Sequence, residues 1–460
     1  MLNTPLSRRL FLASSGVAAT SAMVASSLPG FAQKNSNMIV PASKALVFVM
    51  LDGGNDSFNM LVPNEDVSYR QYAETRANLA LPRNDLLPLD GPKDSLGRNF
   101  GLHKSMPELA DLFNQKRASF IANIGPSVEP VTRATFQDGS AKLPLGLMSH
   151  SDQFKHWQTS RPDTRDTEGW FGHFADALQP SKAAQDVSMN ISMAGHNIVQ
   201  NGARDLPYSI TDRGSVGLIV NEEVSDLNTS LLGSFNKLMA ADQHGDPFRD
   251  TYLRLTRDAQ AQHRTFQAAT KDISVPTKFS DSDLAQQLKM VARTIAASER
   301  LEVKQQTFFV RYIGWDHHDS LMTNQARMLS VLSSALGEFQ TALEEMGLAQ
   351  RVVTFTGSDF GRTLTSNGDG SDHGWGGNTL VMGNEIQGGQ VVGAYPQLGL
   401  GRDNDLDVGG GVLIPTTSTD ELYADLALWF GVKPTALDAL FPNLKQFSDA
   451  PATQRLGVFG

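Results

Sequence analysis

Lys44–Leu51 reads Lys-Ala-Leu-Val-Phe-Val-Met-Leu, a nearly continuous apolar run that stops at Asp52-Gly53-Gly54-Asn55-Asp56. A run this short, without polar alternation, suits a strand buried on both faces, as in a parallel sheet. The acidic turn then falls at the carboxyl end of the strand, where open parallel sheets collect ligands. The arrangement recurs along the chain. Ala118–Ile124 is a second strand candidate, Gln305–Ile313 runs into Trp315-Asp316-His317-His318, and Arg351–Thr356 precedes Asp359-Phe360-Gly361-Arg362. Between them, Met106–Lys116, Asp283–Glu302 and 321–348 carry apolar residues at helical spacing. Asp420–Phe430 is a further amphipathic helix, with Gly431 as its C-cap and Pro434 beyond. Strand, helix and strand in alternation, with polar clusters just after the strands, predict an α/β fold around a largely parallel central sheet.

The chain divides into an address and a body. Ser7-Arg8-Arg9-Leu10 places an arginine pair before an apolar, Ala- and Ser-rich stretch to Leu28, and Gly30-Phe31-Ala32 offers small residues for cleavage after Ala32. Residues 1–32 are therefore expected to be a twin-arginine signal peptide, and the mature chain periplasmic or secreted. As a permanent membrane span the stretch is poor, because Ser, Thr and Gly interrupt it and Pro29-Gly30 ends it. Residues 33–460 are expected to form a single α/β domain. Its insertions or cap segments fall around 126–300, where polar, loop-rich and acidic helical stretches lie. The net charge of −10 argues against nucleic acid as a partner, and no later apolar run is long enough for stable membrane insertion. Cysteine is absent, which removes disulfides, thiolate metal sites and a cysteine nucleophile.

Four clusters could carry chemistry. Asp52 and Asp56 flank a glycine-rich turn, and such residues also serve simply to satisfy turn amides. Ser149-His150-Ser151-Asp152-Gln153 reads as a helix start, where capping and anion binding are compatible. In Trp315-Asp316-His317-His318-Asp319, an extended backbone turns Asp316 and His318 to one side, half of a metal site or a hydrogen-bonded surface pair. Finally, Ser358-Asp359-Phe360-Gly361-Arg362-Thr363 leads to Asp372-His373-Gly374. There Arg362 could clamp an oxyanion or form a salt bridge, and Asp369 and Asp372 crowd His373 as though a cation sat nearby. Together Asp52, Asp316, His318, Asp359 and His373 supply oxygen and nitrogen ligands for one divalent metal ion, or two. Ser149, His150 and Arg362 are the candidate catalytic residues.

At these residues the chain resembles the DUF1501 family: Asp52-Gly-Gly-Asn-Asp-Ser-Phe-Asn59, Ser149-His-Ser-Asp-Gln153, Gly314-Trp-Asp-His-His318, and Ser358-Asp-Phe-Gly-Arg-Thr363 with Asp372-His-Gly374. The resemblance spans nearly all the mature chain. It implies a place near the alkaline-phosphatase and sulfatase superfamily, hence an alkaline-phosphatase-like three-layer sandwich. It also implies metal ligands at Asp52, Asp316, His318, Asp359 and His373. Two departures stand out. Phe360 follows Asp359 where that superfamily commonly has His, and the Asp316–His318 spacing is shorter than usual. Ser149 is the candidate nucleophile, with Ser151 in reserve; a formylglycine made from cysteine is excluded.

The expected activity is metal-dependent hydrolysis of a phosphate or sulfate ester, with an unidentified ester substrate and the twin-arginine translocase as export partner. The alternative is a non-catalytic envelope binding or assembly protein that keeps the hydrolase-like fold. A nucleotide-dependent oxidoreductase fits poorly, because Asp52-Gly-Gly-Asn lacks the G-x-G-x-x-G spacing.

Overall fold

The computed structural model describes residues 43–179, 187–217, 225–240, 246–401, 403–447 and 456–460. The expected export signal lies outside the described residues. The strand Lys44–Asp52 is central in a large sheet and is buried along almost its whole length, as its uninterrupted apolar run requires. It pairs in parallel with Gln305–Ile313 on one side and with Val352–Ser358 on the other. Beyond Gln305–Ile313 lie Asn190–Ser192 and Tyr208–Thr211, both parallel. Beyond Val352–Ser358 the order continues through Gly377–Gly383 to Ala118–Gly125.

Gly377–Gly383 runs antiparallel to both its neighbours, so the sheet is mixed, though largely parallel as expected. Nothing in the sequence marks this strand, since Gly377-Asn378-Thr379-Leu380 is preceded by two further glycines and resembles a loop. Side-chain bonds to both neighbouring strands hold it in place. Thr379 Oγ1 bonds Thr356, and Asn378 Oδ1 accepts from the Asn123 amide at 3.1 Å.

Alternation along the first strand sends Phe48 and Met50 to one face and Val47 and Val49 to the other, and all four are buried, so both faces are covered. On the first face Phe48 stacks on Phe355 with centroids 4.7 Å apart. Trp170, from the helix Trp170–Leu178, stacks on Tyr423, from the helix Thr419–Phe430, at 4.1 Å. The predicted helices at 106–116, 283–302 and 321–348 appear as Pro107–Asn114, Asp283–Ala296 and Leu321–Glu345. They pack on one another, the first and last tied where Ser333 Oγ donates to Glu108 at 2.7 Å. The helix Thr419–Phe430 begins in a capping box of Ser418 and Glu421 and ends at Gly431 with φ +107°, as the C-cap reading anticipated. No helix among the described residues is long and apolar enough to cross a membrane.

Candidate functional site

Three chain segments leave the carboxyl ends of neighbouring strands and fold over one another. Gly53-Gly54 follows the first strand, Gly314–His318 follows Gln305–Ile313, and Asp359–Arg362 follows Val352–Ser358. The first two are stitched together where the amides of Gly314 and Trp315 both donate to the Asp52 carbonyl at 3.1 Å. Gly53 is needed at φ +123°, because a Cβ there would lie 2.6 Å from the Asp316 amide nitrogen. A two-stranded hairpin, Arg362–Ser366 with Ser371–His373, carries His373 back across from Arg362. The fourth segment is the start of the helix His150–Thr159.

Imidazoles from three of these segments converge on Asp316. His318 Nε2 lies 3.0 Å from Asp316 Oδ1, His373 Nε2 lies 3.5 Å from the same oxygen, and His150 Nε2 lies 3.4 Å from Oδ2. His150, Asp316 and His373 each offer a ligand atom within 4.8 Å of the others, and His318 Nε2 sits 2.9 Å from His373 Nε2. Asp316 and His318 face the same side, across a segment whose amides of His317 and His318 bond back to the carbonyls of Trp315 and Asp316, while His317 is buried. Asp316 and His318 remain 44% exposed, so the cluster opens to solvent.

Each ring is oriented through its other nitrogen. Nδ1 of His150 pairs with Asp359 Oδ2 at 2.7 Å, that of His373 with the Met148 carbonyl at 2.9 Å, and that of His318 with Asp372 Oδ1 at 3.2 Å. An acceptor at Nδ1 selects the tautomer with the proton there and leaves the Nε2 lone pair facing Asp316. Lone pairs 2.9 Å apart repel unless a proton or cation lies between them. His150 Nε2 is also buried without a hydrogen-bond partner. The Nε2 atoms of His150 and His373 and the Asp316 carboxylate thus form a donor set that fits a single borderline divalent metal ion, with His318 Nε2 beside it.

Charge in the cluster follows from its surroundings. Burial raises the Asp316 carboxyl, but the hydrogen bond and positive charge of Arg362 outweigh this and hold it below its ordinary value. Burial lowers His373, against the pull of the Met148 carbonyl, and favours the neutral ring that a metal needs. Burial pushes Asp359 up to about 6, its His150 bond opposing and the Asp52 charge adding to the rise.

Several sequence expectations change in detail. Arg362 is fully buried, and its guanidinium donates to the carbonyls of Gly53, Gly54, Trp315 and Ser371 and to the Asp316 carboxylate. It therefore joins the loops rather than facing a substrate. Asp359, expected as a ligand, instead orients His150, and His150, expected to be catalytic, stands among the ligand atoms. Asp52 stays outside the cluster because Arg311 takes its carboxylate, with Nε 2.9 Å from Oδ2. Ser149 is the N-cap of the helix His150–Thr159, yet its hydroxyl pairs with Ser151 Oγ at 3.2 Å instead of capping. The acidic loop has a local explanation in part: Asp369 accepts from the Ser320 amide at 2.8 Å.

Sequence reasoning missed Arg311, Met148 and the role of Phe360. Arg311 is the one charged side chain in an otherwise uncharged strand, a signal that was there to be read. Met148, at φ +67°, had no signal, since its carbonyl is what matters. Phe360 lies beneath two rings of the cluster, with centroids 4.7 Å from His150 and 4.4 Å from His373.

No curated protein matches the chain. Among solved structures it is similar to the PsFucS1 sulfatase from Pseudoalteromonas sp., at 11% identity and a TM-score of 0.36, over 90% of this chain and 74% of that one. It is also similar to the lipoteichoic acid synthase LtaP from Listeria monocytogenes, at 10% identity and a TM-score of 0.31, over 85% and 73%. A mutant of the alkaline phosphatase PafA aligns at 12% identity and a TM-score of 0.25, over 70% and 64%. Residues 43–432 match the family described as "Protein of unknown function (DUF1501)", and the chain belongs to that family.

Proposed function

We propose that this chain is an exported, metal-dependent hydrolase of phosphate or sulfate esters. The observation that carries the reading is the convergence of the Nε2 atoms of His150, His318 and His373 on the Asp316 carboxylate, each ring already oriented through Nδ1. A divalent cation held there supplies Lewis-acid polarisation of an ester oxygen. Asp359, the Met148 carbonyl and Asp372 fix the imidazoles, and Phe360 supports two of them from below. The free amides at the start of the helix His150–Thr159 favour an anionic group beside the cluster. Ser149, whose hydroxyl is not engaged in capping, is the candidate nucleophile. The partners are an ester substrate and, during export, the twin-arginine translocase addressed by Arg8-Arg9; the net charge of −10 speaks against nucleic acid. The destination is the periplasm or the exterior.

The test is elemental analysis of protein purified from its export compartment, paired with turnover of aryl phosphates and aryl sulfates. Stoichiometric metal and turnover are expected, both lost in Asp316→Ala and His373→Ala. A second reading, a binding or assembly protein that retains the fold, is favoured by the burial of Arg362 among carbonyls, which leaves no substrate clamp at that position. Bound metal without turnover of any aryl ester supports it, and a metal-free native preparation overturns the hydrolase.

A further inference from the structure

Beside the imidazole cluster lies a second acidic pair. Leu51 is in register with Ser358 on adjacent parallel strands, so Asp52 and Asp359, each one residue further on, emerge side by side on the same face. Both are withdrawn from water, with side chains 16% and 1% exposed. Two carboxylates placed together at the end of a sheet, next to metal-type imidazoles, need positive charge. The chain supplies it. Arg311 leaves the neighbouring strand from a position in register with Met50, on the face that also bears Asp52. Its Nε and Nη2 both donate to Asp52 Oδ2, and its guanidinium lies 5.0 Å from the ring centre of Phe154, on the helix that begins at His150. The cation is thus held by a carboxylate on one side and an aromatic ring on the other. Asp359 is meanwhile committed to His150, and the residue after it is the apolar Phe360.

We propose that the Arg311 guanidinium is a built-in cation for Asp52, beside Asp359, so that the centre takes one metal ion rather than two. The inference rests on the reading of His150, Asp316, His318 and His373 as a metal centre and fixes the stoichiometry of that centre. Asp52 is then a partner of Arg311 and not a ligand. Removing the guanidinium leaves the Asp52 carboxylate without its cation, next to Asp359.

The experiment is zinc binding to the full mature chain, by calorimetric titration and by elemental analysis after desalting. The wild-type chain is expected to bind a single equivalent. Asp52→Asn is expected to keep that equivalent with unchanged affinity. Arg311→Ala is expected to gain a second, weaker equivalent, which disappears again in the Arg311→Ala/Asp52→Asn double variant. Two equivalents in the wild type, loss of the metal in Asp52→Asn, or a single equivalent in folded Arg311→Ala overturns the proposal and leaves the metal centre standing. No zinc in the wild type removes the centre itself, and the proposal with it. Should Arg311→Ala fail to fold, the wild-type and Asp52→Asn titrations decide.

Discussion

Nδ1 of His150 sits 2.7 Å from Oδ2 of Asp359, although the two residues are 209 positions apart in the chain. The carboxylate lies at the end of a buried strand and is itself almost wholly enclosed, while the ring it holds reaches out to the open cluster around Asp316. A rigid support therefore aims the Nε2 ligand atom at the Asp316 carboxylate. Outer-sphere carboxylates of this kind set both the tautomer and the basicity of an imidazole. Asp359→Asn keeps the shape but removes the charge, and it is expected to weaken zinc binding about 10- to 100-fold. Competition with a chromophoric chelator measures it. An unchanged affinity would show that His150 is not a ligand.

Arg362 makes a different prediction, because it touches loops and not substrate. Its guanidinium binds carbonyls from the Gly53-Gly54 turn, the Trp315 segment and the Ser371 strand at once. Truncation orphans those buried acceptors, and Arg362→Ala is expected to cost about 3–5 kcal/mol of stability in denaturant unfolding. Lysine cannot reproduce the planar fork, so Arg362→Lys is expected to be destabilised as well. A stable Arg362→Ala that merely bound an ester more weakly would return Arg362 to the role of substrate clamp.

Gly54 should tolerate nothing larger. Its φ is +84°, and a Cβ would lie 2.4 Å from Phe360 Cε2, the ring beneath His150 and His373. Gly54→Ala combines backbone strain with displacement of that ring, for an expected loss of more than about 1 kcal/mol. Metal affinity should fall with it. Thermal unfolding and zinc titration of the same preparation check both halves.

Stability should carry a pH signature from Asp420, far from the cluster. Its carboxyl is fully buried near the start of the helix Thr419–Phe430, where burial pushes it up to about 7 while a bond from Ser160 opposes the shift. The unfolded chain releases this proton near pH 4, and the folded chain holds it to near neutrality. Between those values the native state binds more protons, so Asp420 lowers stability as pH rises from about 4 to about 7. The melting temperature of Asp420→Asn, relative to wild type, should therefore be higher at pH 7 than at pH 5. A difference that does not change with pH would contradict the assignment.

The first strand of the cluster is legible because it is buried on both faces and so reads as a nearly unbroken apolar run ending in an acid. Gln305–Ile313 matches its predicted bounds through its Phe308-Phe309-Val310 centre, although Gln305, Gln306, Thr307 and Arg311 interrupt the run. Asp316 and His318 were legible as metal-type side chains close together after a strand, although tight turns rather than an extended backbone bring them together. What the sequence hid was which carboxylate meets which base. Asp52 and Asp359 look equivalent in the sequence, each the acid after a buried strand. The distinction between them comes from strand order, which sets Arg311 against the first and the helix of His150 against the second. The arginine at 362 misled in the same way: guanidinium chemistry suits an oxyanion and a ring of carbonyls equally, and only burial separates the two.

The placement of Lys44–Asp52 between Gln305–Ile313 and Val352–Ser358 bears on how the protein comes into being. Among the described strands this one is the earliest to be synthesised, and it has neither neighbour until Gln305–Ile313, about 250 residues later, has followed it. Until then this apolar ribbon lacks its partners, so closure of the sheet centre is a late, non-local step in folding.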